Sequence, residues 1–119
     1  MTIRGNFHVP IYECDVTIIV TDHTKASLNY YYRRDELKSE DFDFEGLVWR
    51  PDERIGAYFV FFDLNSLSIN TFNHEKSHLV EWILKDRSIS AQNEVRSYLD
   101  GFISKKMNDF FQKRKLKLK

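Results

Sequence analysis

Cysteine occurs once in these 119 residues, at Cys14, so an intramolecular disulfide is impossible. Glycine occurs only four times and never as a cluster. That leaves no Gly-rich phosphate loop and argues against nucleotide chemistry. Neither sign of charge is in excess, since 18 Lys and Arg balance 18 Asp and Glu. A formal net charge of zero gives no overall electrostatic case for nucleic acid as the main partner. Long apolar runs are also missing: the longest stretches, such as Ala57 to Phe62, fall far short of the roughly 20 residues that cross a bilayer. The first ten residues, MTIRGNFHVP, hold no apolar run of the kind a secretory signal requires. A soluble cytosolic protein without a membrane partner is the expectation.

What is present suits one core. With 42% of residues hydrophobic, 119 residues are enough for a single domain over residues 1–119 and too few for two. The 15% aromatic content is explained better by core packing than by stacking on bases. Charge is unevenly spread. Six acids lie between Asp35 and Glu45 against Lys38 alone, whereas Lys105 to Lys119 holds seven bases against Asp109. The expected forms are a solvated acidic loop and a solvated helix end with a basic, frayed tail over residues 112–119.

Residues Tyr12, Cys14, Val16, Ile18 and Val20 share one parity, the period-2 pattern of a half-buried strand, and make Cys14 a small buried hydrophobe. Asp22 to Thr24 offers caps for a short helix ending near Leu37. Gly46 to Arg50 and Ile55 to Asp63 read as a β-hairpin turning at Pro51 to Arg54. Helical spacing then runs from Leu67 to Lys85, with Leu67, Ile69, Phe72, His74, His78, Trp82 and Leu84 as inward candidates. A last helix, capped by Ser88 or Ser90, carries Val95, Tyr98, Leu99, Phe102, Ile103, Met107 and Phe110 at three- and four-residue spacing. The fold class predicted is α+β, a small antiparallel sheet of a hairpin plus a further strand with helices on one face.

The chemistry concentrates in His74-Glu75-Lys76-Ser77-His78, an HExxH pattern on the penultimate predicted helix. Residues four apart stack on one helix face, so the two imidazoles can address one metal ion from adjacent turns. Glu75 is rotated about 100° from His74, which sets its carboxylate beside the metal as a general base. Bound zinc lowers the pKa of water to about 7 and polarises a carbonyl. A third protein ligand must come back after a turn, and Glu94 is the first choice with Asp100 as the fallback. Tyr98, one turn after Glu94, could reach the site and donate a hydrogen bond to an oxyanion, although its apolar neighbours Leu99 and Phe102 suit a core role better. His8 and His23 lie outside the helix pair and receive no role.

With HEKSH followed by Glu94 on a later helix, the chain resembles the zincin metallopeptidases of the gluzincin type. It is also similar to small uncharacterised phage and mobile-element proteins, in which a strand-rich half leads into an HE-containing helix and then an acidic residue with a Tyr-Leu-x-Gly stretch. Here that stretch is Asn93 to Gly101, and the likeness spans roughly Gly46 to Phe111. The resemblance implies a Zn2+ cofactor held by His74, His78 and Glu94, with Glu75 as base. It further implies that the strand ending at Asp63 is the edge that aligns an extended peptide or protein substrate. Lys76 departs from the longer zincin signature, which has uncharged residues between the histidines; on an amphipathic helix it is expected to face solvent. Two functions follow: a minimal zinc-dependent peptidase, or a small binding protein that docks on a host protein through its hairpin edge, acidic loop or basic tail.

Overall fold

In the computed structural model, residues 1–23, 46–50, 56–87 and 93–119 are described, apart from the side chains of positions 93 and 94. Four strands, β1 (Thr2–Val9), β2 (Cys14–Thr21), β3 (Gly46–Trp49) and β4 (Ala57–Asp63), form one sheet in the order β1-β2-β4-β3. A 3-10 turn, Leu64–Ser66, leads into helix α1 (Ile69–Asp86), and α2 (Asn93–Lys113) follows. The class is α+β, as the sequence predicts.

The sheet departs from the expected antiparallel form. β1 pairs antiparallel with β2 and β3 with β4, but β2 and β4 run parallel, so the sheet is mixed. Period-2 patterning reports which face a side chain takes and is blind to strand direction. The anticipated first strand begins at Cys14, with Tyr12 in the preceding turn, and β1 is a further strand that the pattern did not declare. Its inward parity is Ile3, Gly5, Phe7 and Val9, and the glycine breaks the apolar alternation. That glycine serves a close approach: a Cβ at Gly5 would lie 2.6 Å from the Phe110 ring, so only the bare backbone lets α2 settle on β1. The helix expected before Leu37, the acidic loop, the turn at Pro51 to Arg54 and the caps Ser88 and Ser90 lie outside the described residues, Asp22 and His23 apart.

Both helices join the sheet in one apolar cluster. Val16, Ile18 and Val20 of β2 align in register with Tyr58, Val60 and Phe62 of β4. Onto this face pack Phe72, Leu79, Val80, Ile83 and Leu84 of α1 and Leu99, Ile103, Met107 and Phe111 of α2. Each such side chain contributes about 1.5–3 kcal/mol by leaving water. Ile19 and Phe61 point to the opposite face and are also fully buried. The inward stripe of α1 is therefore rotated from the sequence assignment: Ile69, His74 and His78 are exposed. Among the described residues, no helix is long and apolar enough to cross a membrane.

Helix α1 starts where the Ser68 hydroxyl accepts from the Thr71 N–H at 3.0 Å. The tail expected to fray does not. Helix α2 continues to Lys113, Leu116 and Leu118 pack against the core, and the Ile69 N–H donates to the Lys119 carbonyl at 3.0 Å. Two apolar side chains alternating with lysines explain the return, because they have core surface to cover.

Cys14 is buried at the start of β2, and that burial pushes its thiol up to about 11. Because the thiolate is the reactive form, Cys14 is expected to resist a disulfide reagent at pH 8 in the native protein and to react within minutes in denaturant. Rapid native labelling, followed by absorbance of the released thiol, would contradict this packing.

Candidate metal centre

Helix α1 carries the whole HExxH segment, with His74 and His78 on its exposed side and Glu75 turned toward the sheet. The two imidazole Nε2 atoms lie 3.0 Å apart, with ring centroids at 4.5 Å and planes at 86°. Two nitrogens sharing a tetrahedral zinc at about 2.0–2.1 Å sit about 3.3–3.4 Å apart, so the pair needs only a few tenths of an ångström to accept the ion. Ligand atoms of His74, Glu75 and His78 all fall within 4.8 Å of one another. Two imidazoles with an adjacent carboxylate are a donor set that could hold a metal ion.

Glu75 is only 6% exposed. Burial raises its carboxyl above the ordinary range, opposed by the charges of His74 and His78. The reason it can lie so deep is Gly46, the first residue of β3. A Cβ at that position would stand 2.8 Å from Glu75 Cγ and 3.1 Å from its Oε2. Gly46 pairs with Phe62 in the hairpin and so faces α1, which makes the glycine a notch in the sheet that receives the carboxylate.

An open cavity of about 650 Å³ adjoins these groups, running between β3 and α1 past Glu81, Trp82 and Lys85. Its far end is braced by Asp86, which accepts from the Tyr58 hydroxyl and binds Arg50 Nε at 2.8 Å. Arg50 in turn lies over the Trp82 ring at 5.4 Å. The roof is β3, one of the two edge strands among the described strands. That corrects the expectation for the strand ending at Asp63: β4 is flanked by β2 and β3 and has no open edge.

The helix α2 residues fare differently from the α1 triplet. Lys76, expected in solvent, is 14% exposed in its side chain and binds Asp100 Oδ1 at 3.2 Å. Lys76 is turned about 200° from His74 around the helix axis, so Asp100 stands on the face of α1 away from the histidines and does not join them. Tyr98 is 74% exposed and does not line the cavity, because the buried stripe of α2 passes through Leu99, Ile103 and Met107. It serves neither as core nor, in this arrangement, as a donor at the site. Position 94 lies in the first turn of α2, and the Glu94 side chain is outside the described residues. Arg96, two residues on, reaches back to Glu81 at 3.2 Å and fixes the start of α2 against the cavity-bearing helix. His8 pairs with Asp15 and Glu13 at the β1 to β2 turn, outside the cavity.

Family models, curated proteins and solved structures were compared with the chain, and none matches. The site therefore rests on its own geometry. Sequence reasoning found the triplet through its spacing but missed Gly46 and the Trp82 and Lys85 lining. Lys85 was legible in principle, since it recurs seven residues after His78 on the same helical stripe.

Proposed function

We propose that this protein is a zinc-dependent peptidase that hydrolyses a peptide bond in an extended substrate. The observation that carries the reading is the convergence of His74 and His78 nitrogens at 3.0 Å beside a carboxylate buried under an edge strand. His74 and His78 hold the ion, and Glu94, from the first turn of α2, is the third ligand in this reading. When bound, zinc supplies an activated water and polarises the carbonyl under attack. Glu75 takes the proton from water and passes it to the leaving amine. In this reading the substrate pairs along β3, an edge strand among the described strands.

The test is metal content after chelator-free purification and addition of equimolar zinc. About one zinc per chain is expected in the parent, little in His74→Ala and Glu94→Ala, and a full complement in Asp100→Ala. Zinc absent from the parent would reject the peptidase and favour the docking protein. Deleting residues 113–119 cannot separate the two, because Leu116, Leu118 and the Lys119 backbone are part of the fold.

A further inference from the structure

The cavity is longer than the histidine pair requires, and its far end has a charge of its own. Gly46 lies against Thr71 and Glu75, while Arg50 binds Asp86, so β3 and α1 run side by side in the same direction for the length of the cavity. Along α1, Lys85 lies on the same stripe as His78, about 20° round the axis and about 10.5 Å further on. An extended peptide advances about 3.3 Å per residue, so that distance is three residues of substrate.

Among the charged groups at that end, Glu81 is engaged by Arg96 and Asp86 by Arg50. Lys85 is exposed, lines the cavity and has no acidic partner among the described residues. From this arrangement we propose that the cavity selects peptides bearing a carboxylate three residues from the bond cleaved, held by the Lys85 ammonium. The inference rests on the peptidase reading of the histidine site. An acidic side chain and a chain-terminal carboxylate supply the same chemistry.

The experiment uses the zinc-loaded full chain and tripeptides carrying a zinc-binding hydroxamate at one end, with affinity read by calorimetry at low salt. Three versions differ only at the third residue: a free terminal carboxylate, an amidated Glu and an amidated Gln. Binding at least tenfold tighter for a carboxylate version than for the Gln amide is expected in the parent. The ratio should fall to about one in Lys85→Gln, with zinc content unchanged. Which carboxylate version gains identifies its source. Equal affinity for all three, or a preference that survives Lys85→Gln, overturns the inference while the retained zinc leaves the metal site standing. Loss of zinc from the parent, or hydroxamate binding that does not depend on zinc, removes the peptidase reading and this inference together.

Discussion

If the protein is the zinc peptidase proposed above, replacing Glu75 with glutamine is expected to lower peptide cleavage by roughly 10²–10⁴-fold, the range a positioned general base contributes, while zinc stays bound at the parent's level. The glutamine is nearly the same shape and fits the notch at Gly46, so it preserves the packing between β3 and α1. It cannot accept the proton from water. Folding is not the weak point of the variant either: burial disfavours the charged carboxylate, and the amide carries no charge to bury. The measurement is turnover of the best peptide substrate, set beside metal content and thermal midpoint for both proteins. Cleavage that persists with zinc bound would take the base role away from Glu75. Loss of zinc in the variant would instead make Glu75 a ligand, consistent with its place within 4.8 Å of both imidazoles.

Truncating Phe62 to alanine is the substitution expected to cost most in stability, about 3–5 kcal/mol. Phe62 is 1% exposed and sits where three elements meet: its ring centroid is 6.4 Å from that of Phe72 on α1 and 5.5 Å from that of Phe111 on α2. Phe72 and Phe111 also meet, at 5.6 Å. Removing the ring opens a cavity that neither helix can close without losing its grip on β4. Chemical denaturation should show a lower midpoint with little change in slope. Because Phe62 pairs with Gly46, the notch for Glu75 should loosen as well. A loss below 1 kcal/mol would mean that the three-ring contact is not a keystone of the core.

The hairpin, the two helices and the placement of HEKSH on a helix were legible because each rests on local pattern: β-prone runs about a turn, and apolar spacing of three and four. The parts that escaped are set by tertiary contact. Gly5 hid β1 by interrupting its alternation, yet its lack of a side chain is what admits Phe110. Lys76 read as a solvent residue on an amphipathic helix, whereas its ammonium pairs with Asp100 of α2 and its side chain is largely covered. Tyr98 shares its helix with Leu99 and Phe102, but one residue of rotation, about 100°, separates the buried stripe from solvent. Of the proposed site, the histidines and Glu75 followed from sequence spacing, whereas the depth of Glu75 depends on which strand lies above it and which residue that strand presents.

The parallel pairing at the centre of the sheet governs how the chain reaches this arrangement. Asp15 pairs with Ala57 and Thr21 with Asp63, so every contact between β2 and β4 joins positions far apart in the chain. The β1 to β2 hairpin and the helices form from near neighbours, within microseconds on their own, but the central seam must first close a long loop at an entropic cost. That cost places the seam late and makes it the slow event in folding. Until it closes, Val16, Ile18 and Val20 lack their β4 neighbours Tyr58, Val60 and Phe62, and the newly made chain is exposed to association with copies of itself.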